Sequence, residues 1–358
     1  MDEAVEAAWQ AVMSERSRLG AFDLRGAFAT DLARAGRYRL AAAGLVLDYS
    51  RNLLDDRALV VLLRLAAQCK ALESLRAQAA GALANPTEGR AALHTALRDT
   101  PAPLQSGVAS EVKSARLRMA RMADELRSGR WTGWSGQSIG AVVNIGIGGS
   151  HLGPCFVADA LSHLRTPGLS MHFVSNVDPR DLEDTLEGLD PRRTLFVVAS
   201  KTFGTLETLE NARAARRWLL AAGCPESALT RHLAAVSVNV PRAVDFGVAA
   251  QNVLPMWDWV GGRFSVWSAI GLPLALGFGM ETFEALLAGA RAMDAHALEA
   301  EAEGNMPLLL ALLSVWYRNA WGFDSQAVIP YDQCLTRLPE FLQQLVMESN
   351  GKSVDLEG

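Results

Sequence analysis

The chain has 358 residues, half of them hydrophobic and a fifth charged, with a formal net charge of −5. That length exceeds what one hydrophobic core usually serves, so two domains are expected. The acidic balance excludes a general nucleic-acid or anionic-membrane binder. Four cysteines and six histidines are scattered without CxxC or HExxH spacing, so neither a metal site nor a disulfide framework is indicated. The chain opens MDEAVEAAWQ, acidic where a signal peptide needs a basic segment, and its most apolar runs are too short or too interrupted to span a bilayer. A cytoplasmic protein with reduced thiols is expected.

From the start to about residue 125, apolar residues recur at helical spacing in VEAAWQAVM, DRALVVLLRLAAQCKALESL and SEVKSARLRMARMADEL, predicting a helical N-terminal segment over 1–125. One short strand is expected there, LVLDYS at 45–50, bounded by Gly44 and Asn52. The glycine-rich stretch GRWTGWSGQ at 129–137 marks a boundary. The pattern then alternates. IGAVVNI, LSMHFVS, TLFVVAS and LAAVSVN read as strands, separated by helices through FVADALSHL, PRDLEDTLEGL and TLETLENARAARRWLLAAG. Short apolar strands alternating with helices predict an α/β class domain over 126–280, an α/β/α sandwich with a parallel sheet covered on both faces. After GGRFSVWSAIGLPLAL long helices return over about 281–320, followed by a strand AVIPYD at 327–332 and a helix in RLPEFLQQLVM. Residues 281–358 therefore read as the opening of a second, incomplete sandwich domain.

In open parallel sheets, ligands bind outside the carboxyl ends of the strands. Two loops in that position stand out. In NIGIGGSHLGP, 144–154, glycines let backbone N–H groups approach an anion beside a helix N-terminus. It is not a dinucleotide fingerprint, because His151 stands where GxGxxG needs its third glycine, and it lacks the Lys-Ser/Thr pair of a Walker loop. Ser150 there also fits a plain helix N-cap. In SKTFGTLET, 200–208, the hydroxyls of Ser200, Thr202 and Thr205 join the ammonium of Lys201, a set suited to a phosphate dianion. The same residues fit a capped helix start with a solvated lysine, and Glu207 suits that role.

The motifs NIGIGGSHLGP, SNVDP, SKTFGTLET, WDWVGGRFSVWSAIGLP and LPEFLQQLVMESNGKS occur in the order seen in the glucose-6-phosphate isomerase (phosphoglucose isomerase) family, which the chain resembles from about residue 20 to its last residue. GLVLDYSRN and TEGRAALHTALR resemble its N-terminal region. The resemblance implies two sugar-isomerase domains of the α/β/α type behind a helical segment, a homodimer, a hexose 6-phosphate substrate, and interconversion of glucose 6-phosphate and fructose 6-phosphate without metal or organic cofactor. It implies substrate contacts at Gly149, Ser150, Gly262 and Gln344, and phosphate on Ser200, Lys201, Thr202 and Thr205. Arg263 would lie beside the reacting carbons, and Glu348 would be the proton-transferring base.

These roles agree with the chemistry. Aldose–ketose isomerisation moves a proton between adjacent carbons through an enediol, which one carboxylate can remove and return on the same face. A permanently charged guanidinium stabilises the enediolate. Gly261 and Gly262 remove bulk beside it, and Gln344 lies one helical turn before Glu348. Alone, Glu348 reads as a surface glutamate, Arg263 as an ion-pair partner, and His94 as a packed helix histidine; only the joint pattern assigns the first two.

Departures are few. Gly204 and Leu206 replace a threonine and a glutamine usual in the phosphate loop, Cys334 and Thr336 replace a tyrosine and a histidine, and His151 stands where the family has an acid. The family's segments that supply a ring-opening histidine and lysine have no counterpart in the sequence, so weak or no turnover of cyclic glucose 6-phosphate by this chain alone is expected. A non-catalytic sugar-phosphate-binding module fits the phosphate loops equally but gives Arg263 and Glu348 no task. A nicotinamide-dependent oxidoreductase is disfavoured by the broken glycine fingerprint.

Overall fold

The computed structural model describes residues 2–84, 86–100 and 107–354. Two compact units form, one from 1–82, 99–103 and 288–327, the other from 83–98, 104–287 and 328–358.

The first unit opens with helices α1 (Glu3–Arg18), α2 (Leu24–Thr30) and α3 (Arg34–Arg37). Strands β1 (Arg39–Ala42) and β2 (Leu45–Asp48) form an antiparallel hairpin whose turn places both Ala43 and Gly44 in the left-handed region. Helix α4 (Asp56–Gln68) is capped by the Asp55 side chain, which accepts from Ala58 N–H at 3.0 Å. Helix α5 (Ala71–Ala79) follows directly. The continuous helical pattern over 56–75 is broken because Lys70 adopts φ 50°, which ends one helix and re-aims the next. Val12, Leu54, Leu62, Leu309 and Trp316 form the centre of this unit's core, and Trp316 Nε1 donates to the Leu53 carbonyl at 2.9 Å.

In the second unit, α6 (Val108–Arg127) precedes β3 (Ala141–Ile145), α7 (Leu152–Ala160), β4 (Ser170–Val174), α8 (Pro179–Leu186), β5 (Thr194–Ala199), α9 (Leu206–Ala221), β6 (Leu233–Ser237), α10 (Val240–Phe246), β7 (Val253–Pro255) and α11 (Leu272–Phe278). Helices α12 (Met280–Glu299), α13 (Met306–Val315) and α14 (Leu338–Asn350) follow along the chain. The strands form one parallel sheet in the order β4-β3-β5-β6-β7.

Alternate side chains of each strand enter opposite cores, as a period of two requires. Val142, Leu195, Val197 and Val236 pack with Met119 of α6, Val157 of α7 and Leu274 of α11. Val143, Phe196, Val198 and Ala235 pack with Leu182 of α8, Leu219 of α9 and Ala243 of α10. The sheet is thus covered on both faces, and the α/β/α sandwich expected from the sequence is present. The order also fixes where a ligand belongs. The chain moves outward from β3 to β4, then crosses back to place β5 on the other side of β3. The carboxyl ends of β3 and β5 therefore flank the topological switch point, where open sheets leave a crevice.

Three local expectations need correction. Strands β1 and β7 lie outside the expected set, since RLAA alternates weakly and VLP is three residues ending in proline. The run 327–332 is not a strand. It has no ladder partner among the described residues, and Ile329 and Tyr331 are 68% and 99% exposed. A strand needs a neighbour as well as apolar content.

Candidate active site

The two loops singled out in the sequence lie at the switch point, after β3 and β5. In the first, Gly148 takes φ 56° and Gly149 is buried against backbone. A Cβ on Gly149 would stand 1.8 Å from the Gly262 carbonyl oxygen, so only glycine permits this approach. A Cβ on Gly148 would lie 3.2 Å from Gln344 Nε2. Asn144 Nδ2 donates to the Ser150 carbonyl at 3.0 Å, holding the turn back on its own strand.

In the second loop Ser200 is buried and its hydroxyl lies 3.3 Å from that of Thr205. Thr202 is exposed. Phe203 takes φ 49°, an uncommon conformation for an aromatic residue, and its ring packs edge-on against Phe246 of α10 at 5.7 Å. Lys201 is more engaged than a solvated lysine: its Nζ donates to the carbonyls of Asp258 and Val260 at 2.9 and 3.0 Å. Burial lowers its pKa.

Those carbonyls lead into the 3-10 turn Gly262–Trp267. The Ser265 hydroxyl donates to the Gly149 carbonyl at 3.2 Å, tying the turn to the first loop. Arg263 leaves the turn with its guanidinium 4.9 Å from the Phe264 ring centre, and Arg263 Nη1 lies 3.1 Å from Glu348 Oε1. Gln344, one turn earlier on α14, donates from Nε2 to Glu348 Oε2 at 3.1 Å. Each carboxylate oxygen of Glu348 thus has its own donor, which fixes the plane of the group. Arg263 Nε and Gln344 Oε1 are buried without a hydrogen-bond partner among the described residues.

His94 joins this arrangement without any role expected from the sequence. It is a half-buried ring whose Nε2 accepts the Gly261 N–H at 2.8 Å, and it lies 4.7 Å from Phe264. An Nε2 that accepts carries no proton, so the neutral Nδ1–H tautomer is required. Burial, then the positive charges of Arg98, Arg263 and Lys201, lower its pKa to about 4. The only signal in the sequence is TEGRAALHTALR itself; the partner stands 167 residues away. His151 has a lowered pKa through burial and makes no hydrogen bond to Glu348 among the described residues that would give it a proton-transfer role. Among the described residues, no group of three or more His, Cys, Asp or Glu side chains is placed to hold a metal ion. Among the same residues, no helix is long and apolar enough to cross a membrane.

Comparison with known proteins bears on this geometry. Residues 48–358 match the family model described as Phosphoglucose isomerase. The chain is 50% identical over 357 residues to a glucose-6-phosphate isomerase of Burkholderia orbicola, covering 98% of this chain and 65% of that protein. It is 51% identical over 356 residues to one from Burkholderia mallei, with the same coverage of each. The crystal structure of a glucose-6-phosphate isomerase from Chlamydia trachomatis superposes with a TM-score of 0.86 at 32% identity, covering 97% of this chain and 66% of that one. A hypothetical protein from Thermus thermophilus superposes at 0.61 with 29% identity, over 82% of this chain and 63% of its own. The chain therefore spans about two thirds of the length of the relatives it matches, 65% for those from Burkholderia.

Proposed function

This chain belongs to the phosphoglucose isomerase family, and from that premise we propose that it interconverts glucose 6-phosphate and fructose 6-phosphate. In this reading the phosphate sits on Ser200, Lys201, Thr202 and Thr205, and the first two sugar carbons lie against Glu348. The carboxylate takes the proton from C2 of the open aldose. The electron pair moves into a C1–C2 double bond, giving an enediolate, and the same carboxyl group returns the proton at C1. A hydroxyl proton shifts from O2 to O1 to complete the balance. Arg263 stabilises charge on the enediolate oxygens, while Gly149, Ser150, Gly262 and Gln344 bound the sugar.

The observation that carries this reading is the Glu348 carboxylate, held by Arg263 at 3.1 Å and by Gln344 at 3.1 Å. The Glu348 side chain is 47% exposed, so a substrate can reach its two oriented oxygens from solvent. We extend the reading to a homodimer acting in the cytoplasm, and to residues 281–358 as the opening of a second sugar-isomerase domain. Exchange of the C1 proton of fructose 6-phosphate with deuterated solvent tests the proton-transfer step without requiring ring closure. Glu348→Gln should slow it roughly a thousandfold with little change in KM. Exchange at the original rate in that variant would remove Glu348 as the base.

A further inference from the structure

Gly204 leaves the middle of the Ser200–Thr205 loop without a side chain. The structure fills that position from another element. A Cβ at Gly204 would lie 3.2 Å from Arg242 Nη1 and 3.3 Å from Thr202 Oγ1, so the guanidinium and that hydroxyl flank the same point. We infer that Arg242 is an additional ligand of the anion held by the Ser200–Thr205 loop, its guanidinium standing at the point that Gly204 leaves free. The inference rests on the phosphate role proposed above for that loop.

The placement of Arg242 is not an accident of one rotamer. Val238 N–H and the Ser237 hydroxyl both donate to the Lys201 carbonyl, at 2.9 and 3.0 Å, and Asn239 N–H donates to the Ser237 hydroxyl at 3.0 Å. The entry to α10 is thereby stitched to the backbone of the phosphate loop. One turn further along the helix, Phe246 packs edge-on against Phe203. Arg242 and Phe246 are four residues apart, so they share the helix face that meets the loop. Arg242 is exposed, and its guanidinium has no ion-pair or hydrogen-bond partner among the described residues. Lys201, by contrast, has two of its three donors committed to the carbonyls of Asp258 and Val260. A planar guanidinium at the rim adds positive charge to the one remaining lysine donor and has the geometry to engage a phosphate bidentately.

Titration of inorganic phosphate into the full 358-residue chain, followed by calorimetry or phosphorus NMR, tests the assignment. Arg242→Gln should weaken binding about tenfold and Arg242→Lys less, with no change in thermal midpoint because the side chain is exposed. If Arg242→Gln and Arg242→Lys bind phosphate as the unaltered chain does, while Ser200→Ala with Thr205→Val loses it, the role of Arg242 is overturned and the loop's role stands. An unaltered chain that shows no saturable phosphate binding overturns both.

Discussion

The Lys201 ammonium donates to the Val260 carbonyl at 3.0 Å, and through the same nitrogen to that of Asp258. One side chain of the Ser200–Thr205 loop therefore fixes the backbone that immediately precedes Gly261, Gly262 and Arg263. In the proposed reading, a phosphate drawn to Lys201 would bear on the position of the Arg263 guanidinium. Binding energy from a remote part of a substrate is used in this way to position reacting groups.

Lys201→Met keeps the stem and removes the donors. Both KM and kcat should worsen, kcat by about tenfold or more, because the arginine turn loses its tether. A variant in which KM alone rises would mean that Lys201 contacts phosphate without positioning Arg263. Steady-state kinetics separate the two.

His94 makes stability depend on pH. In the folded chain its pKa lies at about 4, below the ordinary value of 6.5. Between those values the unfolded chain binds a proton that the folded chain does not, so stability rises with pH across this window and is fully present above about 6.5. The shift corresponds to on the order of 3 kcal/mol lost as pH falls to about 4. Burial also lowers the pKa values of His151, His172 and His232, so the contribution must be read as a difference. Denaturant unfolding of His94→Gln, whose amide oxygen still accepts the Gly261 N–H, should show a shallower decline than the original chain. Parallel curves would assign the acid sensitivity to the other histidines.

Gly149→Ala places a methyl group 1.8 Å from the Gly262 oxygen and 2.2 Å from its carbon. Both are backbone atoms, so no rotamer change relieves the overlap. The Gly149 loop and the Gly262 turn must part, costing about 2 kcal/mol. A lowered thermal midpoint together with lost isomerisation is expected. A variant with unchanged melting and activity would show that the turn yields freely.

Much of the scaffold is written in local pattern. Val142 and Val143, or Leu195 and Phe196, are consecutive apolar residues, and such runs between helices belong to strands buried on both faces. Glu348 and Gln344 are legible as neighbours because a helix puts residues four apart on one side. What stays hidden depends on partners distant in the chain. The run 327–332 has strand composition but no ladder among the described residues, whereas Val253–Pro255 has little composition and gains its place from β6. His94 reads as an ordinary packed histidine until the fold brings Gly261 to it.

The sequence by itself determined the alternation of strands and helices, the glycines that let backbones meet, and the kinds of chemical group available, because these follow from the steric and periodic properties of short segments. Only the tertiary structure decided that Lys201 is committed to two carbonyls, that Arg242 fills the space beside Gly204, and that Arg263 and Gln344 each hold one oxygen of Glu348. Hydrogen bonds and ion pairs depend on distances of a few ångströms between groups as far as 264 residues apart, and those distances are set by the packing of the sheet and its helices.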